Sequence, residues 1–301
     1  RRDDDAFASY KNRSKAELQN MDLNPSSSFS DSITSTLYSK HPRTLRIKAD
    51  MVDKMNYDKI LSMYQDRFKD ASDFTFILVG NVDVEAVKPL IESYLGSLPS
   101  INRKETFKDN HIAMRKGICK NEFIRQQETP KVNNFICYSG TCKYNLRNEI
   151  LMSMTDQLLN FIYTEKVRED EGGTYGVYPM GQLIKYPTEK AVLQIFFNTA
   201  PDKQEKLIKI IYDEAEAFAK NGPDEASLNK VKEYMLKKHS EDLKENGYWL
   251  NSIDEYLYTG IDPVKDYEQI INSITPKDVQ QFANELLKNQ ITVSMISPEK
   301  K

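Results

Sequence analysis

The sequence predicts an α+β fold, with helices packed on one face of a mainly antiparallel sheet, in a domain that is repeated and whose first copy is truncated. Three observations support this prediction. Amphipathic helices and β-rich segments alternate unevenly, without a regular βαβ order. A helix–strand unit near residue 60 recurs near residue 280. The 301 residues are 39% hydrophobic and 29% charged, which is the balance of an ordinary globular protein.

The first hundred residues contain one clear helix–strand unit. Residues 1–40 are poorly hydrophobic and include a serine-rich run, so we expect a helix and loop there, or a partly mobile segment. Apolar residues then recur at helical spacing and predict an amphipathic helix, at Ile60, Met63, Tyr64 and Phe68. The hydrophobic run at 74–79 predicts a strand that follows this helix.

The second helix–strand unit lies about 220 residues later, with a helix predicted at 278–287 and a strand at 291–296. Coincidence between two common units is the alternative. If the repeat is real, residues 101–301 form a nearly complete domain, and residues 1–100 are the C-terminal portion of a truncated one. The polar, proline-containing stretch at 98–104 would then be the linker.

The segments between these two units complete the predicted domain. Periodicity and β-branched or aromatic content predict strands at 132–138, 174–180 and 191–197. Helices are predicted at 149–168, 202–220 and 226–245, with Pro223 and Asp224 at the start of the third. Pro263 and Pro276 are expected to open two further segments.

Composition and charge exclude several classes of protein. The net charge of −3 gives no basic surface for nucleic acid, and no apolar run approaches the roughly 18 residues of a membrane span. The charged start lacks the apolar stretch of a signal peptide, as in a processed chain or a fragment. The three cysteines, Cys119, Cys137 and Cys142, are too few for a disulfide framework and fit no common zinc spacing, so we expect reduced structural thiols.

The most informative stretch for function is residues 167–178, which join a predicted helix to a predicted strand. Arg168 offers a rigid fork of N–H donors, and Tyr175, seven residues later, offers one O–H donor. Gly172 and Gly173 let a ligand or strand approach the backbone closely. Two fixed donors suit a carbonyl oxygen that becomes negatively charged. The alternative is an ordinary helix end with Arg168 on the surface.

This stretch resembles the Arg and Tyr motif in the C-terminal half of pitrilysin- and insulinase-type zinc metallopeptidases, the inverzincins. The run at 74–83, with its Gly80-Asn81 turn, is similar to the strand and turn that close each domain of that family, and residues 85–98 are similar to the helix that follows. The resemblance covers nearly the whole chain from about His41, and residues 1–40 carry no motif.

The resemblance implies a function for the chain as the C-terminal, non-zinc half of a zinc metalloendopeptidase that closes like a clamshell around a peptide substrate. Arg168 would hold a substrate carbonyl, and Tyr175 would donate its hydroxyl to the developing oxyanion. Gly172, Gly173 and Thr174 would line the substrate, the glycines keeping the approach clear. The zinc would be a cofactor of the full-length enzyme, held by the N-terminal half or a partner chain, and the fragment alone would be inactive.

Zinc ligands are not expected in this chain. The family places two histidines and a glutamate within one helical turn, whereas His41, His111 and His239 stand alone. His239, on a highly charged helix, is expected to face solvent. The alternative function is a non-catalytic structural or regulatory homologue that pairs with a zinc-bearing chain. A periplasmic or other extracytoplasmic location is favoured by the resemblance, with a cytoplasmic one open.

Overall fold

In the computed structural model, residues 2–169, residue 172 and residues 174–298 are described, except for the side chain of residue 169. The strands in this part of the chain are β1 (Ile118–Ile124), β2 (Lys131–Thr141), β3 (Val177–Ile184), β4 (Lys190–Thr199) and β5 (Asn289–Ser297). They form one sheet in the order β1-β5-β2-β4-β3. The β1–β5 pair is parallel and the other three pairs are antiparallel, so the predicted mainly antiparallel α+β fold is confirmed.

The helices before the sheet are α1 (Asp4–Leu23), α2 (Pro25–Leu37), α3 (Ala49–Val52), α4 (Tyr57–Phe68) and α5 (Val84–Tyr94). Those within and after it are α6 (Leu146–Tyr163), α7 (Gln204–Asn221), α8 (Glu225–Asp242), α9 (Asn246–Thr259), α10 (Tyr267–Ser273) and α11 (Pro276–Leu286). None of the helices in the described residues is long and apolar enough to cross a membrane.

The main core lies between the sheet and the helices α6, α7 and α11. Successive side chains of a strand point to opposite faces. On β2, Ile136 and Tyr138 point into this core, as Leu193 and Ile195 do on β4. The helices contribute the buried apolar faces that the sequence predicts, with Leu151, Met154 and Leu158 on α6 and Leu207, Ile211 and Phe218 on α7.

The opposite face of the sheet carries a smaller core that is covered by α2. Phe135 and Cys137 of β2 point to this side, where Leu37 of α2 is buried with them. A side-chain hydrogen bond from Asn121 of β1 to Thr36 of α2, at 2.8 Å, adds to the contact. Residues 4–37 are therefore two helices, and the second helps to bury the sheet.

Several boundaries and environments differ from the sequence-based predictions. The predicted strand at 174–180 is displaced to Val177–Ile184, and the helix predicted at 149–168 runs from Leu146 to Tyr163. Phe161, expected in the core, is half exposed. The segment after Pro263 becomes a helix only at Tyr267.

The predicted strand at 74–79 is wrong. The segment forms no ladder with any described strand, although Phe76 and Leu78 have the apolar character of one. A strand needs a partner for its backbone groups, so residue propensity alone does not make one. The preceding helix α4 is present as predicted, but its apolar residues Met63, Tyr64 and Phe68 are exposed to solvent.

Candidate functional site

The helix α6 leads into the candidate site and changes its winding as it does so. After Tyr163 the chain continues as a π-helical turn, Thr164–Glu169, and Arg168 lies near its end. Val167, just before Arg168, is fully buried and anchors this turn in the main core. The Arg168 side chain is exposed. π-Helical turns are rare and occur often at functional sites.

Gly172 turns the chain away from the helix. Its backbone N–H donates to the Arg168 carbonyl oxygen at 3.2 Å, and its φ of +58° lies in the left-handed region. A Cβ built on Gly172 would meet nothing within 4 Å, so the conformation, rather than lack of space, favours glycine here. Gly173, predicted to line the substrate with Gly172, lies outside the described residues.

The last part of the turn presents Tyr175 to solvent. The half-buried Thr174 hydroxyl donates to the Gly176 carbonyl oxygen at 3.1 Å and accepts from the Gly176 N–H at 3.2 Å. These two bonds close a tight loop around Tyr175, whose side chain is 96% exposed. Val177, at the start of β3, is buried in the main core. Tyr175 is therefore flanked by Thr174, whose hydroxyl is bonded to the backbone of Gly176, and by the start of β3, which is packed in the core.

The described site residues, Arg168, Gly172, Thr174 and Tyr175, lie along one short segment between α6 and β3. Arg168 and Gly172 share a backbone hydrogen bond, and Thr174 holds the backbone on both sides of Tyr175. No hydrogen bond or ion pair joins the side chains of Arg168 and Tyr175 to each other or to another described residue. With respect to the described residues, both side chains therefore have donors available for a ligand, an N–H fork and a phenolic O–H, which suit a carbonyl or carboxylate oxygen.

A metal does not fit the described residues. No group of three histidine, cysteine or acidic side chains that could hold an ion occurs among them. Positions 151–155 of α6 are Leu, Met, Ser, Met and Thr, and all but Ser153 are buried in packing contacts. The side chains of His111 and His239 are bound instead to Asp109, at 3.4 Å, and to Tyr248, at 3.3 Å.

His239 corrects a prediction. It was expected on a solvated helix face, but it is only 6% exposed. Its ring stacks on Tyr267 with centroids 4.2 Å apart. The helix α8 carries many charges, but this position faces α10, so local composition gave no signal of the contact.

Glu149 and Asp156 of α6 were not singled out from the sequence, because nothing in their local spacing distinguishes them from other acidic residues. The pKa of Glu149 is raised to about 7. Burial is the main cause and the neighbouring Glu255 adds to it, whereas the Tyr144 hydroxyl stabilises the charged form and opposes the rise. Burial also raises the pKa of Asp156 to about 6, although the Gly181 N–H of β3 donates to its carboxylate. Each depends on residues distant in sequence, which only the fold brings near.

Comparisons with known proteins identify the family to which the chain belongs. A family profile described as the peptidase M16 inactive domain matches residues 54–235. A protein named probable zinc protease PqqL, from Escherichia coli K12, is 21% identical over 298 residues, which are 96% of this chain and 31% of the relative. A zinc protease PQQL-like protein of Arabidopsis thaliana is 24% identical over 229 residues, 69% of this chain and 23% of the relative. The chain thus spans less than a third of these curated relatives.

Solved structures show the same fold at low sequence identity. The crystal structure of the periplasmic protease PqqL from Escherichia coli matches with a TM-score of 0.82 and 18% identity, over 99% of this chain and 33% of that one. A peptidase M16 inactive domain from Pseudomonas fluorescens matches with a TM-score of 0.72 and 18% identity, over 98% of this chain and 72% of that one. Because the family profile covers more than half of the sequence, the chain belongs to the family of peptidase M16 inactive domains.

Proposed function

We propose that this chain is the substrate-contacting, non-zinc half of a zinc-dependent endopeptidase. Its zinc is held by residues outside this chain, in an N-terminal half or a partner, because no group of side chains that could hold a metal occurs in the part of the chain that the structure describes. The two halves enclose a peptide, and this half supplies hydrogen-bond donors to it. The zinc-protease names of the relatives support this proposal, and the chain alone is inactive under it.

One observation carries the proposal. Tyr175 is almost fully exposed, yet the backbone on either side of it is fixed by the Thr174 bonds and by the buried Val177. A core tyrosine would be buried, and a large aromatic group held in solvent by an ordered turn is suited to contact with a ligand. Arg168, seven residues earlier and also exposed, provides the second donor.

The roles of the two donors follow from their chemistry. The Arg168 guanidinium binds a substrate carbonyl oxygen both before and during the reaction, because its charge is always present. The Tyr175 hydroxyl binds more strongly as the attacked carbonyl oxygen gains negative charge, so it acts mainly on the transition state. Gly172 and Gly173 leave the approach free of side chains, and Thr174 fixes the register of Tyr175.

Kinetics of the full-length enzyme on a peptide test these roles. Tyr175→Phe should lower kcat by about 100-fold, with little change in KM, as expected when one oxyanion donor is lost. Arg168→Ala should lower kcat and raise KM. Matched controls are Tyr10→Phe and Arg13→Ala on α1, which should leave both constants unchanged. Unaltered turnover in Tyr175→Phe would refute the assigned role, and unaltered melting temperatures would show that the fold is intact.

We also propose that residues 1–100 include the C-terminal portion of a first domain, and that residues 101–301 form the second. The exposed apolar side chains of α4 and the unpaired segment 74–79 support this division, since together they form an apolar surface of the kind that a sheet normally covers. The sheet that covers it would lie in the zinc-bearing half. Adding that half as a separate chain should protect the backbone amides of 74–79 from hydrogen exchange, and unchanged exchange in a complex that forms would contradict the proposal.

The location of the enzyme is proposed to be extracytoplasmic, since the similar protease PqqL of Escherichia coli is periplasmic. The described cysteines are free thiols, and burial raises the pKa of Cys137 to about 12, which leaves it unreactive. A buried thiol of this kind is compatible with an oxidising compartment. Fractionation of the source cells, with the protein located by antibody, tests this assignment.

A further inference from the structure

A cavity of about 550 Å³ opens between four helices and is not used by the proposed peptidase chemistry. Side chains of α6 and α8 form its walls, and Tyr248 of α9 and Tyr267 of α10 complete them. Its volume falls in the range of about 300–1,000 Å³ that is usual for small-molecule sites. The cavity combines aromatic faces with one unsatisfied carboxylate.

Aromatic groups line several sides of the cavity. Tyr267 stacks on His239, and the Tyr248 hydroxyl lies 3.3 Å from the His239 Nδ1 atom, so these three rings support one another. Phe161 and Tyr234 also line the cavity, and each is about half exposed. The faces of such rings attract cations through their quadrupole, and they also pack against aliphatic chains.

Asp156 gives the cavity its one unsatisfied acceptor. Its Oδ1 atom is shielded from solvent and has no hydrogen-bond partner in the described part of the chain. A ligand in the cavity can therefore reach only the other oxygen of this carboxylate, Oδ2, and an N–H donor placed there offsets the cost of the half-buried charge.

The charges around the cavity favour a cation. Lys238 forms an ion pair with Asp242, one helical turn further on, so those two charges neutralise each other. The carboxylate of Asp156 has no such counterion among the described residues. With histidine counted as neutral, the lining side chains therefore carry one negative charge in excess.

We propose that this cavity binds a primary ammonium group on an aliphatic stem. The ammonium donates to Asp156 Oδ2, the carboxylate oxygen that is accessible from the cavity, and the methylene groups lie against the aromatic rings. Because only one of the two carboxylate oxygens is accessible, a compact ammonium suits the site better than the two-pronged guanidinium group. The lysine side chain of a peptide and a free alkylamine both carry this chemistry. This proposal does not depend on the roles proposed for Arg168 and Tyr175, because its test measures binding of a ligand and not cleavage of a peptide.

Calorimetric titration of the full chain at pH 7.5 tests the proposal with four probes. Acetyl-lysine N-methylamide and n-butylammonium carry the ammonium group, and acetyl-norleucine N-methylamide and 1-butanol are their neutral counterparts. The ammonium probe of at least one pair should bind at least tenfold more tightly than its neutral counterpart. Tighter binding of the lysine derivative than of n-butylammonium would identify a peptide side chain as the source, and equal binding a free amine. Equal binding of charged and neutral probes, or no binding at millimolar concentration, would overturn the proposal.

Variants separate a binding role from a structural one. Asp156→Asn should weaken binding of the ammonium probe at least tenfold without lowering the melting temperature, since it removes a poorly solvated charge. Asp213→Asn on α7, an exposed carboxylate, is the control and should bind as the wild type does. Tyr234→Ala, at the half-exposed wall, should weaken binding several-fold, whereas Tyr256→Ala on α9, outside the cavity lining, should not. Wild-type affinity in both Asp156→Asn and Tyr234→Ala would refute the site.

Discussion

The half-buried carboxyl group of Glu149 predicts an unusual dependence of stability on pH. Glu149 lies in the first turn of α6, close to Tyr144 and to Glu255 of α9. The Tyr144 hydroxyl already donates to Glu255 at 3.1 Å. The two carboxyl groups therefore share one proton more favourably than they carry two negative charges, and folding favours the protonated form of Glu149.

The size of the effect follows from the change in pKa. Folding raises the pKa of Glu149 from an ordinary value of 4.5 to about 7. In full, this change would correspond to about 3 kcal/mol, but Glu149 is only half-buried and solvent screening reduces it to about 1–2 kcal/mol. Because the folded-state pKa is the higher one, the contribution of Glu149 to stability is greatest below pH 4.5 and is lost as the pH rises towards 7.

Glu149→Gln tests this reasoning because glutamine has the shape of the protonated acid and cannot ionise. Urea unfolding should show the variant more stable than the wild type by about 1–2 kcal/mol at pH 8, with the difference shrinking towards zero near pH 4.5. Glu225→Gln is the matched control, since Glu225 is an exposed acid in the first turn of α8. It should lose a few tenths of a kcal/mol from the helix dipole and gain nothing at high pH. A Glu149→Gln variant that is no more stable at pH 8 would refute the argument.

Two further substitutions test the packing and capping that hold the fold. Gly140→Ala should destabilise the protein by about 3 kcal/mol or more, because the new Cβ would lie 1.8 Å from the Glu285 carbonyl oxygen of α11. Gly247→Ala is the control, because its Cβ would meet nothing within 4 Å. Equal urea midpoints for the two variants would contradict this prediction. Asp224→Ala should lower the free energy of unfolding by about 1 kcal/mol, because the Asp224 side chain accepts a hydrogen bond from the Ser227 N–H at 2.8 Å and caps α8. A melting temperature equal to that of the wild type would show that water replaces the cap.

Local patterns in the sequence predicted the elements that have strong internal signals. The apolar run at 132–138 became the centre of β2, and the Pro223-Asp224 pair marked the start of α8, where Asp224 is the cap. The helix and strand at the C-terminus were also predicted close to their observed bounds, Pro276–Leu286 and Asn289–Ser297. In each case the residues that define the element lie within one helix or one strand.

Features that depend on distant partners could not be predicted in this way. The strand β1 pairs with β5, so that Lys120 lies opposite Thr292, and no pattern within residues 118–124 specifies that partner. The segment at 74–79 shows the converse, since it has the composition of a strand and lacks a partner in the described chain. His239 and Asp156 likewise acquired their environments from helices that are distant in sequence.

The predicted site illustrates how a local motif gains meaning from the core around it. Arg168 and Tyr175 were identified from sequence, and their roles remain a proposal. The structure adds the two anchors, because Val167 and Val177 are both buried in the main core on either side of the segment. The backbone on both sides of Tyr175 therefore leads into fixed positions of the core, whereas the exposed Tyr175 ring makes no hydrogen bond or ion pair to another described residue. Under the proposed role, the Tyr175 side chain becomes ordered only when it meets the substrate, so its hydrogen bond to the charged oxygen in the transition state has to offset that loss of side-chain entropy.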